Sequence, residues 1–257
     1  MPLIDSHVHL DFPAFDPDRA AVVARARAAG VERFVLPSVT EQRWSAVAAV
    51  AAADRLCHAA YGLHPCYLDA HGAGAAARLE HWLDDHDAVA VGECGLDFHV
   101  NARDTEAVQL SLFDAQIAVA AARRLPVIVH ARKAVDLATQ RVRRSPGLTG
   151  VFHSFSGSWQ QACALIDRGF HLGIGGAVTH DRATRLRELV RRLPDDVWVL
   201  ETDAPDQPGA RHRGERNEPA YLPEVVDCVA ALRAQPVEHI VTQAERNTAA
   251  LFGLARE

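Results

Sequence analysis

Residues 3–10 read LIDSHVHL, a short apolar run that closes on two imidazoles one residue apart. As a β-strand, this run points residues i and i+2 to the same face, so His7 and His9 project side by side. Neutral imidazole is the commonest side-chain metal ligand. After it comes AAVVARARAAG (20–30), which is helix-like, and then a second short apolar run, VERFVLPSV (31–39). The alternation continues through CHAAYGLHP (57–65), AVAVGECGLD (88–97), PVIVHAR (126–132), GVFHSFSG (150–157), FHLGIGGAV (170–178) and VWVLETDAP (197–205). Helical stretches such as TEAVQLSLFDAQIAVAAARR (105–124) and SWQQACALIDRG (158–169) lie between the runs. The latter starts behind a good N-cap, Ser158, and stops at a good C-terminal cap, Gly169. A final amphipathic run, PAYLPEVVDCVAALRA (219–234), follows the eighth strand. Strands alternating with helices predict parallel pairing through crossover helices, and eight such units predict an α/β fold closed as a single (β/α)8 TIM barrel. With no repeat, low-complexity tract or linker, residues 1–257 read as one domain.

Composition narrows the function classes. The chain is 49% hydrophobic and 23% charged, ordinary for a protein with a large core. Its five cysteines form no C-x-x-C pair, which fits reduced thiols in the cytoplasm. No apolar run is long enough to span a bilayer, and the N-terminus enters the first strand at once, so neither membrane insertion nor a signal peptide is expected. A net charge of −6 argues against attraction of nucleic acid by the whole surface; a local patch would have to hold phosphate. All 27 basic residues except Lys133 are arginine.

Polar residues concentrate at the C-terminal ends of the strands, where barrel enzymes keep their active sites. Strand one brings His7 and His9; strand three, His64; strand four, Glu93 and Asp97; strand five, His130; strand six, His153; strand eight, Glu201 and Asp203. His7, His9, Glu93, His130, His153 and Asp203 make a nitrogen–oxygen donor set suited to Zn, Mn, Co or hydrated Mg. Six donors exceed what one four- or five-coordinate ion needs, so two ions are expected. A carboxylate can bridge two ions and an imidazole cannot, which makes Glu93 the bridge. His7, His9 and Asp203 would complete one site, and His130 and His153 the other. Cys66 and Cys94 lie near the mouth; Cys94 neighbours Glu93 and so faces the helices. The remaining nine histidines read as ordinary surface or packing residues.

The pieces IDSHVHLD, GLHP, GECGLDF, PVIVHAR, GVFHSFSG, LETDAP and RNEPAYLPEV together resemble the TatD family of metal-dependent deoxyribonucleases, a branch of the amidohydrolase-like barrel hydrolases. They run in family order from residue 4 to about 225. Cys94 and His99 stand where aliphatic and aromatic residues are more usual. The resemblance implies a hydrolase that cleaves phosphodiester bonds in DNA with divalent metal, and it assigns the same six ligands. Two divalent ions per chain are expected, Mg2+ or Mn2+ in activity, with Zn2+ also compatible. Expected, too, is a cytoplasmic monomer with no obligate protein partner.

In the mechanism this suggests, water activated on the metals attacks phosphorus in line while Asp203 accepts its proton, with Glu93 holding the ions together. His64 is expected to touch the substrate phosphate, and Arg132 to hold a phosphate bidentately. Arg211, Arg213 and Arg216, on the loop after strand eight, would supply a local positive patch for DNA. The rival reading is a binuclear or mononuclear amidohydrolase acting on a small C–N or ester substrate. Many binuclear members of that class bridge their metals with a carboxylated lysine, whereas the only lysine here lies past strand five. A structural metal protein would need a closed, usually cysteine-rich site, and no cysteine clusters with these donors.

Overall fold

In the computed structural model, which describes residues 2–99 and 102–255, eight strands form one sheet in chain order. They are β1 Leu3–Asp5, β2 Val31–Pro37, β3 Cys57–Tyr61, β4 Ala90–Asp97, β5 Val127–Arg132, β6 Gly150–Phe152, β7 Phe170–Ile174 and β8 Trp198–Leu200. Every neighbouring pair from β1 to β8 is parallel. The helices are α1 Arg19–Ala28, α2 Glu41–Ala53, α3 Ala75–Asp85, α4 Ala102–Arg123, α5 Val135–Val142, α6 Trp159–Ile166, α7 Thr184–Arg192, α8 Leu222–Arg233 and α9 Val237–Phe252. The expected TIM-barrel architecture is present.

First and last strands are tied by backbone and side chain. Ser6 N–H donates to Leu200 O (3.0 Å) and Asp203 N–H to His7 O (2.9 Å). The buried Asp5 carboxylate accepts from Thr202 N–H (3.0 Å) and Thr202 Oγ (2.6 Å). Closure therefore runs through the same segments that carry His7 and Asp203, so the barrel seam also positions the site.

Two apolar layers support the sheet. One lies between strands and helices. The other fills the barrel interior with Ile4, Val35, Ala60, Ala90, Ile128, Val151 and Val199, joined by Ala249, Phe252 and Leu254. The last three belong to α9 and its exit, so this helix plugs the lower end of the barrel. Asn247 of α9 fixes it there, donating to Asp195 O and Trp198 O at the start of β8 (both 2.7 Å). The run 219–234 is thus not the final helix. Its N-terminal end is a short 3-10 turn, Pro219–Tyr221, before α8.

Side-chain parity lifts the apolar layer into a polar one. Two residues beyond Ile128, Val151 and Val199, on the same face, stand His130, His153 and Glu201. Strand β4 breaks the alternation. Its register slips between Val91 and Cys94, a β-bulge, which turns Glu93 inward while Val91 and Cys94 both pack outward. Helix α6 forms as its sequence predicts: Ser158 and Gln161 make a reciprocal capping box, and Gly169 takes φ +78°.

Candidate metal centre

Strand β1 ends at Asp5, so His7 and His9 sit in the segment just beyond it rather than within it. Their rings nevertheless converge, with the two Nε2 atoms 3.2 Å apart. His9 donates from Nδ1 to Pro37 O (3.0 Å), which leaves its Nε2 lone pair facing the site. His153 follows β6 directly and stacks on His7, with ring centroids 4.1 Å apart. His130, within β5, donates from Nε2 to Asp97 Oδ2 (2.9 Å) and turns Nδ1 inward. Asp97 is itself held by His99 N–H (2.8 Å).

Glu93 lies at the middle of this cluster, 2% exposed. Its Oε2 is 3.2 Å from His7 Nε2 and 3.6 Å from His9 Nε2. The other oxygen, Oε1, is 2.7 Å from His153 Nε2 and 3.0 Å from His130 Nδ1. Oε2 thus faces two imidazoles and Oε1 three, since His64 Nε2 also stands 3.1 Å from Oε1. Asp203 Oδ1 stands 3.4 Å from both His7 Nε2 and His9 Nε2, while its Oδ2 accepts from Gln207 Nε2.

The donor set fits divalent ions. Tetrahedral Zn–N bonds of about 2.0–2.1 Å place two ligand nitrogens roughly 3.3–3.4 Å apart. The pairs His7–His9 and His130–His153 stand at 3.2 and 3.1 Å. The groups His7–His9–Glu93, Glu93–His130–His153 and His7–His153–Asp203 each bring three ligand atoms within reach of one ion. Charge points the same way. Burial works against ionisation of Glu93, but His153, His64 and His7 outweigh it and hold its carboxyl well below the usual range. Burial likewise raises Asp203, and its bond to His9 with the other imidazoles more than reverses this. In return His9 and His153 are pushed up, against burial, to about 9 and about 10 by Asp203 and Glu93. His7 goes the other way, to about 4, through burial and the His153 charge. Two buried carboxylates demand cationic charge here.

The residues from 4 to 253 match the family model described as TatD related DNase. This chain belongs to the TatD family. It is 37% identical to the uncharacterized metal-dependent hydrolase YjjV of Escherichia coli over 98% of both chains. It is 34% identical to the 3'-5' ssDNA/RNA exonuclease TatD of Pantoea ananatis, covering 98% of this chain and all of that one. The crystal structure of E. coli YjjV superposes with a TM-score of 0.94 at 35% identity, covering 98% of each chain. The chain is thus a TatD-family metal-dependent hydrolase.

In this TatD barrel the centre opens into a cleft of about 480 Å³, within the roughly 300–1,000 Å³ of small-ligand sites. His64 and Arg132 line it. His64 Nδ1 accepts from Cys66 N–H (3.0 Å), so the neutral ring carries its proton on Nε2, 3.1 Å from Glu93 Oε1; against the expectation that no cysteine clusters with the donors, His64, Cys66 and His130 also bring three ligand atoms together. Cys66 also lines the cleft; its thiol, pushed up to about 12 by burial and Asp97, lies 3.4 Å from Asp97 Oδ2. Cys94 is buried against the helices.

The strand-eight loop stands outside the cleft lining. Neither Arg211 nor Arg213 is among the cleft-lining residues. His212 stacks on Tyr221 with centroids 3.5 Å apart and bonds Glu224 (3.0 Å), which pins the loop toward α8. Arg211 points to Glu224 at 3.7 Å. Arg216 is claimed by Asp18 and Glu218 (both 2.8 Å) and covers the Phe15 ring. Acids of neighbouring elements thus direct Arg211, His212 and Arg216. Sequence reading missed Phe12, Tyr67, Ser154, Ser156 and Gln207 on the cleft wall. Tyr67 had a legible signal: it sits three residues past His64 and is 42% exposed. It also missed Glu201 as support: the carboxylate accepts from Ser154 N–H (2.5 Å) and lies 3.8 Å from His153 Nδ1.

Proposed function

We propose that this TatD-family hydrolase cleaves phosphodiester bonds of nucleic acid, DNA foremost, with two divalent ions bridged by Glu93. The observation that carries the reading is the division of Glu93: Oε2 toward His7 and His9, Oε1 toward His130 and His153. His7, His9 and Asp203 would hold one ion with Oε2, and His130 and His153 the other with Oε1. Bound Mg2+, Mn2+ or Zn2+ supplies Lewis-acid stabilisation of phosphoryl oxygens and acidifies water.

The chain's own groups do the rest. Asp203 takes the proton of the attacking water at Oδ2, the oxygen turned toward Gln207 and away from the histidines. His64 donates from Nε2 to a phosphoryl oxygen, its tautomer fixed by the Cys66 amide. Arg132 on the cleft wall grips a phosphate. Tyr67 offers an exposed ring to a nucleobase. Residues 1–257 act as one catalytic domain, and Lys133, outside the cleft wall, is in no position to bridge metals.

The test is purified protein with Mg2+, Mn2+ or EDTA against single-stranded DNA, duplex DNA, RNA, a p-nitrophenyl phosphodiester and a cyclic amide. Metal-dependent cleavage of oligonucleotide and diester, lost in EDTA, is expected. Turnover of the amide with inert diesters would refute the reading.

A further inference from the structure

Beside the cleft lies a second cavity of about 500 Å³, and the two share Ala131 and Ser156 as a common wall. It runs over the loops after β5 and β6, on the side of the barrel mouth away from the strand-eight loop. Phe98, Lys133, Gly157, Gln161 and Arg185 line it. Lys133, the only lysine, is exposed and leaves β5 in the left-handed region (φ +55°). Arg185 is exposed as well; its Nη2 donates to Ser156 O (2.6 Å), which anchors the guanidinium on the shared wall. Among the described residues the cavity has one carboxylate, Asp136, and its Oδ1 accepts from Gln161 Nε2 (2.9 Å). Phe98 is half-buried against the core and presents part of its ring.

We propose that this groove binds the part of a single-stranded nucleic acid flanking the reacting phosphate, with backbone phosphates on Lys133 and Arg185 and a base against Phe98. The inference rests on the nuclease reading and adds where the strand runs. Three observations carry it. The groove is continuous with the reaction cleft through Ala131 and Ser156. Lys133 follows Arg132 of the cleft wall in sequence, and Arg185 is anchored on the shared wall at Ser156 O, so positive side chains lie on both sides of that wall. On the opposite loop Arg216 is held by Asp18 and Glu218, and Arg211 lies 3.7 Å from Glu224. Phosphate contacts together with an aromatic face are how single strands are held without sequence preference.

The experiment compares the metal-loaded enzyme with the Lys133→Ala/Arg185→Ala variant on a single-stranded oligonucleotide and on a mononucleoside p-nitrophenyl diester too short to reach the groove. Both substrates are assayed at about 50 and 200 mM salt, a range over which phosphate contacts show. The variant is expected to raise KM for the oligonucleotide on the order of tenfold and to flatten the salt slope of kcat/KM by about 1.4, roughly 0.7 for each phosphate lost. Cleavage of the short diester by the variant serves as the folding control. A single Lys133→Glu substitution should weaken the oligonucleotide further than Lys133→Ala. An oligonucleotide KM and salt slope matching those of the parent enzyme would overturn the groove while leaving the nuclease reading in place. A parent enzyme that cleaves only the short diester would overturn both.

Discussion

Asp203 occupies the left-handed region, φ +57°, with its amide bonded to His7 O. Few residue types tolerate that conformation, and Asp and Asn are among them. Asp203→Asn therefore keeps the backbone and a ligand oxygen but removes the proton acceptor. Its kcat is expected to fall by at least about 10², with thermal stability in excess metal little changed; full turnover at neutral pH would remove Asp203 from the proton transfer. At this scale much of the site was legible. H-x-H, Glu93, His130, His153 and Asp203 each stand at the end of an apolar run, and barrel topology makes such ends meet. What orients them was not. Pro37 O fixes His9 through a backbone carbonyl, which has no signature in sequence. Asp97 and Glu201 were visible as strand-end acids, but only distances separate a carboxylate facing the cluster from one behind an imidazole.

Elements decide where those residues point. Strict alternation along β4 cannot place Ala90 and Glu93 on the same face; the bulge between Val91 and Cys94 does. Alternation correctly set Cys94 opposite Glu93, but not the phase of the strand. The strands at the seam are shorter than their apolar runs, and the residues beyond Asp5 and Leu200 bond across to each other, as Asp203 N–H does to His7 O. Position after strand eight gave the correct end of the barrel for the loop arginines, but Glu224 for Arg211 and Asp18 and Glu218 for Arg216 set the direction. Helix α4 shows how one side chain steers an element. Gln116, fully buried, accepts from Leu63 N–H (2.8 Å) and donates to Leu63 O (3.0 Å), fixing the chain immediately before His64. Gln116→Leu would leave both backbone groups buried and unpaired, at a cost of about 1–3 kcal/mol each at most. Denaturant unfolding should show the loss, and kcat/KM should drop because His64 moves with its loop. Metal content should hold, since Gln116 touches none of the six donors. Unchanged kinetics in a destabilised variant would mean that His64 is placed by other contacts.

Across the whole molecule, the barrel draws together residues almost two hundred positions apart, and the three-donor groups found among the described residues all fall at its mouth. Eight alternating units made the architecture readable. The α9 plug was less so, since Val237–Phe252 follows a helix directly and packs against the barrel floor rather than covering a strand of its own. Glu93 turns one oxygen toward His7 and His9 and the other toward His130 and His153, which is the basis of the proposed two-ion bridge. Counting metal ions per folded chain, by native mass spectrometry with elemental analysis on the parent protein and on Glu93→Gln, tests this most directly. Two ions in the parent, falling to one or none with activity lost in Glu93→Gln, is the expected result. Two ions and near-normal turnover retained in Glu93→Gln would contradict the bridge.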